Sequence, residues 1–255
     1  MDGAIFAVIA LALAGMSAVY IVERRSGIAG WVDVAWALMV GIAAAIYAVF
    51  GDASLLQRAL VAAMGLVWGL RLGLHLAARM RRSNEDGRYA HMRKTLGNGA
   101  AVWAGFFAFQ AALTVMFSLP AWVAANNLAS SSVWQLIALV IFVGAVGGEA
   151  IADRQLARFV ADPANRGKVC EVGLWGWSRH PNYFFEWLHW FAWVALAVGS
   201  PYWWLSLAGS VLMLVSLLWV TGIPFVEAQS LRSRGEAYRD YQRRVSMFVP
   251  WPAKD

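Results

Sequence analysis

Residues 173–186 read GLWGWSRHPNYFFE and join a polar segment to the start of an apolar run. Pro181 suits the first turn of a helix because its φ angle is fixed and it has no N–H group to leave unpaired. Cations at a helix N-terminus favour a phosphate or carboxylate ligand. An Arg-His-Pro sequence alone is also typical of an ordinary interfacial helix start, but the additional polar groups favour a binding site. The polar side chains are Arg179, His180, Asn182, Tyr183 and Glu186.

The composition around this stretch is that of a membrane protein. Of 255 residues, 60% are hydrophobic and only 14% are charged, and the mean hydropathy is +0.56, which is too apolar for a water-soluble domain. A bilayer span needs about 20 apolar residues. We therefore predict an all-α integral membrane protein with seven transmembrane helices. The apolar runs are residues 4–22, 31–50, 56–78, 101–124, 133–152, 183–199 and 202–226.

Basic residues lie almost entirely on one side of this seven-span arrangement, and Arg58 is the exception in the loops. By the positive-inside rule, the N-terminus is outside and the basic loops and C-terminal tail are cytoplasmic. The formal charge of +6 then reflects topology and contact with anionic lipid or cofactor, without a nucleic acid partner. The basic groups on the cytoplasmic side are Arg24, Arg25, residues 79–94, residues 154–179 and the tail from Arg232.

The sequence predicts one transmembrane domain, residues 1–255, because it has no internal repeat and no low-complexity linker. We expect the first apolar run to remain in the protein, since it lacks a preceding positive segment and a small-residue cleavage site. The single cysteine, Cys170, excludes an internal disulfide and a multi-cysteine metal site. No metal-ligand spacing is present, so no metal is predicted.

Ionisable side chains within the spans cluster in the cytoplasmic half of the predicted bilayer. Trp36 follows Asp33 by one turn on the same helix face, and Arg71 and His75 share a face four residues apart. Helix-end ion pairs explain Glu149, Asp153 or Glu227 taken singly, but a whole cluster of buried ionisable groups indicates function. A cavity opening to the cytoplasm, covered by loops near residues 80–99, 160–181 and 227–255, would unite them. The cluster is Asp33, Arg71, His75, Glu186 and His189.

A second group of cations follows the fifth run. Arg154 and Arg158 are four apart, so they project from one helix face and could bind phosphate oxygens. Such a pair alone is usually a membrane anchor; with the groups named below it predicts a multi-phosphate site. Rossmann and Walker loops and a nucleophile elbow are absent, so helix ends and side chains would hold a nucleotide. The additional groups are Lys168, Arg179, Tyr238 and Tyr241.

Four parts of the second half of the chain carry a family resemblance: residues 153–159, residues 173–186, Glu227 and residues 235–250. Together they resemble the C-terminal half of the steroid 5-alpha-reductase superfamily. Within it, the chain is most similar to the bacterial branch known as the DUF1295 proteins. The earlier motifs DVAW at residues 33–36, WGLR at 68–71 and EDGRY at 85–89 are also similar to that branch, so the resemblance covers most of the chain.

The resemblance implies an NADPH-dependent reductase of a bacterial inner membrane, which transfers hydride to a conjugated carbon-carbon double bond of a sterol-like or other lipid substrate. Residues 1–132 would form the substrate side and residues 133–255 the cofactor side. Combined with the cations and aromatic groups above, it gives the predicted cofactor-binding set. These residues are Arg154, Arg158, Lys168, Trp175, Arg179, His180, Asn182, Tyr183, Glu186, Glu227, Tyr238 and Tyr241.

In the steroid reductases, an acidic residue in span two and a tyrosine in span three polarise the enone oxygen. Asp33 matches the acid, but Trp68 stands at the expected tyrosine position and cannot donate a phenolic proton. Another side chain must then supply the proton or the positive charge. The predicted catalytic residues are Asp33, Arg71, His75 and Tyr89.

Two alternatives remain open at the level of sequence. A membrane methyltransferase of the isoprenylcysteine or phospholipid type shares the Arg-His-Pro-x-Tyr theme but uses S-adenosylmethionine. Asn182, Phe185 and the arginine pair favour the reductase over it. A non-enzymatic lipid- or ion-binding membrane protein is the second alternative, and nucleotide binding would separate it from an enzyme.

Overall fold

The computed structural model describes residues 2–81 and 87–254. Glu85 and Asp86 of the EDGRY motif lie outside these described residues. Within them every regular element is helical. The elements are α1 (Asp2–Ser26), α2 (Trp31–Phe50), α3 (Leu55–Met80), α4 (Gly87–Leu96), α5 (Ala100–Ala125), α6 (Ser132–Ala161), α7 (Pro181–Ala197), α8 (Trp203–Val215), α9 (Ile223–Arg234) and α10 (Glu236–Arg244), with 3₁₀ turns at Pro163–Asn165 and Gly173–Gly176 and a π-helical turn at Ser216–Val220.

The prediction of an all-α integral membrane protein is confirmed. Six helical stretches in the described residues are long and apolar enough to cross a membrane, and the last of them extends from Trp203 to Arg234. Helix α2 has the bounds that the apolar pattern predicts. The sixth predicted run corresponds to α7, which begins at Pro181 as expected but has only 17 residues and is not one of the six.

Polar segments are more helical than the hydropathy pattern indicates. Helix α6 extends to Ala161, past the predicted end at residue 152, and the predicted loop at residues 80–99 contains α4. The last apolar run is divided where the Thr221 N–H group donates to Ser216 O, five residues earlier, which is a π turn. The length of an apolar run predicts only the part of a helix that can be buried in lipid. It does not include the polar residues with which the same helix continues.

Packing divides the chain into two units. The first comprises Met1–Gln135 and Trp193–Gly209, and the second comprises Leu136–Ala192 and Ser210–Asp255. All four predicted catalytic residues belong to the first unit, and all predicted cofactor-binding residues belong to the second. The two groups are therefore described separately below.

In the first unit, small residues allow α2 and α3 to pack closely. A Cβ atom added to Gly69 would lie 2.8 Å from the Ala37 carbonyl oxygen and 3.0 Å from the Gly41 Cα atom. A Cβ added to Gly41 would lie 2.7 Å from the carbonyl oxygen of Gly65. Close backbone approach through small residues is a principal source of helix association in lipid, where apolar side chains gain little by leaving the bilayer.

Buried amide side chains connect helix ends in the same unit by hydrogen bonds. The Gln57 side chain is fully buried; its Nε2 donates to Ala124 O at 3.2 Å and to Leu196 O at 2.8 Å. Its Oε1 accepts from Gln135 Nε2 at 3.2 Å, and Asn127 Nδ2 donates to the same Leu196 carbonyl at 2.9 Å. Because each of these bonds satisfies a polar group away from water, the amides fix the helix ends relative to one another.

In the second unit, the C-terminal segment runs beside the loop that precedes α7. The Arg179 N–H group donates to Ser246 O at 2.8 Å, and the Trp251 N–H group donates to Trp177 O at 2.9 Å. These bonds connect residues far apart in sequence and fix the approach to Pro181. The segment GLWGWSRHPNYFFE is thus held in place on its polar side by the C-terminal tail.

We expect Gly69→Ala to lower the melting temperature of the detergent-solubilised protein, because the new methyl group meets backbone atoms that cannot rotate away. Overpacking of this kind costs about 1–3 kcal/mol. The matched control is Gly105→Ala in α5, where an added Cβ meets no heavy atom within 4 Å. A melting temperature of Gly69→Ala equal to that of the control would contradict the close α2–α3 packing.

Candidate functional site

In the first unit, the Asp33 carboxylate is held by two neighbouring residues of α4. Arg88 Nη2 lies 2.6 Å from Asp33 Oδ2, and the Tyr89 hydroxyl donates to Asp33 Oδ1 at 2.7 Å. Two of the four predicted catalytic residues, Asp33 and Tyr89, are therefore in direct contact. The arrangement places a carboxyl group, a guanidinium group and a phenolic hydroxyl at one point near the start of α2.

Helix α4 brings these groups to Asp33 because its apolar side is buried. Tyr89 is 5% exposed and belongs to a core cluster that includes Met39, Trp103 and Phe107. Arg88 lies with its guanidinium carbon 5.2 Å from the centre of the Tyr89 ring, a cation–π geometry. The tyrosine is thus fixed by packing on its ring and by hydrogen bonding at its hydroxyl.

A second ion pair connects α4 to the end of α1. Arg93 Nη1 lies 3.0 Å from Oε1 of Glu23, whose side chain is almost fully buried at the end of α1. Arg93 also donates to Gly27 O at 3.0 Å and lies over the Trp103 ring, 4.4 Å from its centre. With one arginine near each end of α4 paired to a carboxylate, the position of Tyr89 is set from both sides.

The remaining predicted catalytic residues lie on α3. Arg71 is half-buried and His75 is exposed. Trp68, at the position where the resemblance would place a tyrosine, is 2% exposed. Its ring centre lies 5.9 Å from that of Trp36 in an edge contact. This part of the unit is aromatic, so a ligand beside Trp68 would meet apolar walls.

In the second unit, the Glu227 carboxylate accepts hydrogen bonds from several side chains. Arg179 Nε donates to Oε1 at 2.7 Å and Gln242 Nε2 donates to Oε2 at 2.9 Å. The Tyr238 hydroxyl also donates to Oε1, at 3.4 Å, and His180 Nε2 lies 3.3 Å from the same atom. Glu227 on α9 is therefore the point at which the loop before α7 meets α10.

Arg179 and the two tyrosines make internal contacts. Arg179 Nη1 donates to the carbonyls of Gln242 at 3.1 Å and Val245 at 2.8 Å, and the Tyr241 hydroxyl donates to Trp175 O at 2.6 Å. Burial raises the pKa of Tyr238 to about 12 and also raises the pKa of Tyr241, so both remain neutral. In the structure, these predicted cofactor-binding residues thus stabilise the loop before α7.

The first turns of α7 present polar side chains as predicted. The rings of His180 and Tyr183 are stacked, with centres 5.7 Å apart and planes 9° apart. Asn182 Nδ2 lies 3.4 Å from Asp153 Oδ1 on α6. The buried Glu186 accepts from Trp190 Nε1 at 3.4 Å. Ring faces, an amide and a carboxylate therefore lie along this helix start, each in contact with a neighbouring side chain.

Three predicted phosphate-binding cations lie at the surface. Arg154 and Arg158 are exposed and lie four residues apart on α6, so they project from the same side of it. Lys168 is exposed in the following loop, and its backbone carbonyl accepts from Arg234 Nε at 2.9 Å. These side chains have the charge and the accessibility that a phosphate group requires.

Several contacts that build the two regions are missing from the sequence-based prediction. Gln242 was not selected because a glutamine in a charged tail resembles ordinary surface. The positive-inside pattern accounts for Arg88 and Arg93 as topology signals, Arg88 enters otherwise only as part of the EDGRY motif, and Glu23 has the position of an ordinary polar residue at the end of an apolar run. Arg88 directly precedes the selected Tyr89 within the EDGRY motif, which is the one local signal that could have identified it.

We expect Glu227→Gln to destabilise the protein, because the new amide nitrogen would face donors and the Arg179 guanidinium, 9% exposed, would lose its counter-charge. Breaking a buried pair in this way costs about 3 kcal/mol. The matched control is Glu236→Gln, whose partner Arg239 is largely exposed, so its effect should stay below about 1 kcal/mol. Equal melting temperatures for both variants would contradict the role assigned to Glu227.

We also expect stability to fall in mild acid through His180. Burial lowers the pKa of the His180 imidazole, and the nearby Glu227 carboxylate offsets this only in part. The unfolded chain takes up a proton near pH 6.5 while the folded protein resists it, so this stabilisation is complete above about pH 6.5 and is lost as the pH falls through the folded-state pKa. Melting temperatures at about pH 7.5 and about pH 5.5 should therefore differ more for the wild type than for His180→Gln; the reverse order would refute this.

The sequence as a whole matches one protein family. The model of the family described as "Protein of unknown function (DUF1295)" matches residues 19–245, which is most of the chain. No curated protein matches the chain, and no solved structure does. The predicted resemblance to the DUF1295 proteins is thereby confirmed, and the chain belongs to the DUF1295 family.

Proposed function

We propose that this protein is an NADPH-dependent membrane reductase that transfers hydride to a carbon-carbon double bond conjugated to a carbonyl group, in a sterol-like or other lipid. The observation that carries the proposal is the 2.7 Å hydrogen bond from Tyr89 to Asp33. An acid and a tyrosine are the pair that the resemblance to the steroid reductases implies for polarising an enone oxygen. Tyr89 thus supplies the phenol that Trp68 cannot.

The chemistry assigns one role to each side chain. The nicotinamide would supply the hydride to the β carbon, which is the double-bond carbon further from the carbonyl group. Tyr89 would turn its hydroxyl to the carbonyl oxygen and donate its proton as negative charge develops there, giving an enol that becomes the saturated ketone by proton exchange with water. Asp33, paired with Arg88, would orient Tyr89 beforehand and afterwards relay a proton from water to the Tyr89 phenolate, which restores the phenol.

The residues of the second unit fit a dinucleotide phosphate by the chemistry of their donors. Arg154, Arg158 and Lys168 are exposed cations and would hold the phosphates, and an additional phosphate of NADPH would engage the surplus charge. Arg179 donates to Glu227 and to backbone carbonyls, so its role would be to position the loop. The half-buried Tyr183 ring, stacked on the buried His180, would offer one flat face to an aromatic base or ring.

Topology forms part of the proposal. We assign seven spans with the N-terminus outside and the C-terminus cytoplasmic in a bacterial inner membrane, with one cavity open to the cytoplasm. Residues 1–132 would serve the substrate and residues 133–255 the cofactor. The 17 residues of α7 would extend about 26 Å, close to the hydrocarbon thickness of about 30 Å, which supports counting it as a span.

We expect Tyr89→Phe and Asp33→Asn each to reduce NADPH-dependent turnover of long-chain enones by about 100-fold or more, since a positioned proton donor contributes about 10²–10⁴-fold. The matched control is Tyr47→Phe, because Tyr47 is also buried in the first unit but its hydroxyl contacts Ser118. Turnover by Tyr89→Phe at the level of the control would remove Tyr89 from the reaction.

We expect NADPH to raise the melting temperature of the purified protein by about 5 °C at saturating concentration, with a smaller rise for NADH. Arg154→Ala and Arg158→Ala should each diminish the shift, because each loses a phosphate contact. Arg25→Ala, an exposed cation at the end of α1, should leave it unchanged. A rise with S-adenosylmethionine alone would instead indicate a methyltransferase, and no rise with any of these ligands would support a non-enzymatic protein.

A further inference from the structure

Trp36 lies on α2, the helix that carries Asp33 of the Asp33–Tyr89 pair. It follows Asp33 by one turn of α2, which places the two side chains on one face. Its ring meets Trp68 at 5.9 Å and Phe117 at 5.2 Å between centres, both in edge contacts. It also packs against the buried cluster that contains Tyr89. An indole is therefore fixed among aromatic rings close to the proposed site of carbonyl binding.

The indole N–H group of Trp36 is the unusual feature of this arrangement. Its Nε1 atom is buried, and no hydrogen-bond acceptor meets it within residues 2–81 and 87–254. A buried donor without an acceptor is unfavourable and uncommon in native proteins. At Trp36, which packs against the cluster that contains Tyr89, a carbonyl compound bound by Tyr89 would supply this acceptor.

The geometry points to Trp36 as the second hydrogen-bond donor to the substrate, acting with Tyr89 on the same carbonyl oxygen; this inference rests on the proposed reductase function. An sp² carbonyl oxygen has two lone pairs and can accept from both donors. An indole N–H group only donates, so it selects an acceptor and gives nothing to a cation. The aromatic walls formed by Trp68 and Phe117 suit the apolar body of a lipid.

This assignment gives a physical reason for the substrate class of the proposed function. Two donors converging on one oxygen stabilise the negative charge that develops there during conjugate reduction. A lipid with an isolated double bond or a diene has no oxygen at that point, and it would leave both donors unpaired in an apolar site. The substrate is therefore an α,β-unsaturated carbonyl lipid, and alkenes and dienes of the same length are excluded.

The variant that tests the inference is Trp36→Phe, which keeps an aromatic ring and removes the N–H group. We expect kcat/KM for a long-chain enone to fall about tenfold, which corresponds to about 1.4 kcal/mol, with the melting temperature nearly unchanged. The matched control is Trp122→Phe. Trp122 Nε1 is also buried without an acceptor in the described parts of the chain, but the Trp122 ring contacts Tyr202 and lies outside the cluster that contains Tyr89. Equal kcat/KM values for the two variants would overturn the inference.

A second readout does not depend on turnover. In protein labelled with ¹⁵N in its tryptophans, the Trp36 indole resonance, identified by its loss in Trp36→Phe, should move on addition of an eighteen-carbon methyl enone. The alkene of the same chain length should leave it in place. An unmoved resonance with bound enone, or an equal shift with the alkene, would overturn the role of Trp36.

The two proposals fail in different ways. If NADPH neither binds nor reduces any enone, the reductase function fails, yet the resonance still reports whether a carbonyl compound contacts Trp36. If turnover depends on Asp33 and Tyr89 but Trp36→Phe matches Trp122→Phe, the reductase function stands and the inference about Trp36 falls. The outcome of each experiment is thus assigned to one of the two.

Discussion

A charged side chain in apolar surroundings needs a partner, and this constraint determines the polar architecture of the chain. Burying an ion alone is far more costly than burying it beside an opposite charge and hydrogen-bond donors. In both units a carboxylate near a helix end is therefore paired with an arginine from a distant segment. These pairs are Asp33 with Arg88, Glu23 with Arg93 and Glu227 with Arg179. They position α4 in the first unit and the loop before α7 in the second.

The helices that could be predicted are the ones determined by local pattern. The bounds of α2 follow from its apolar run, and the start of α7 follows from Pro181. Helix α4 could not be predicted in this way, because its sequence is polar and its burial depends on partners that are far away. Arg88 meets Asp33 across 55 positions and Arg93 meets Glu23 across 70. The hydropathy pattern contains no information about either contact, so it predicts a loop for this segment.

The same difference between local sequence pattern and tertiary contact applies to the residues of the candidate site. Sequence reasoning selected Asp33 and Tyr89 separately, since an acid inside a span and a tyrosine in a shared motif each attract attention, but their hydrogen bond is a tertiary fact. It also selected Arg179 as a ligand-binding cation from its place before a helix. The structure directs that guanidinium to Glu227 and to backbone carbonyls, so Arg179 holds the loop while Arg154 and Arg158 remain accessible. Burial and hydrogen-bond partners, which residue type alone does not reveal, distinguish the buried Arg179 from the exposed Arg154 and Arg158.

The central claim is that hydride passes from NADPH to an unsaturated carbonyl lipid, and isotope transfer tests it most directly. Purified protein would be incubated with NADPH deuterated at the nicotinamide C4 position and a lipid extract, and the lipids would be analysed by mass spectrometry. The account predicts a saturated carbonyl lipid that carries one deuterium from the cofactor on the β carbon, which is the former double-bond carbon further from the carbonyl group, and about 100-fold less of this product with Tyr89→Phe. Lipids that gain no deuterium, or that gain a methyl group when S-adenosylmethionine is supplied, would contradict it.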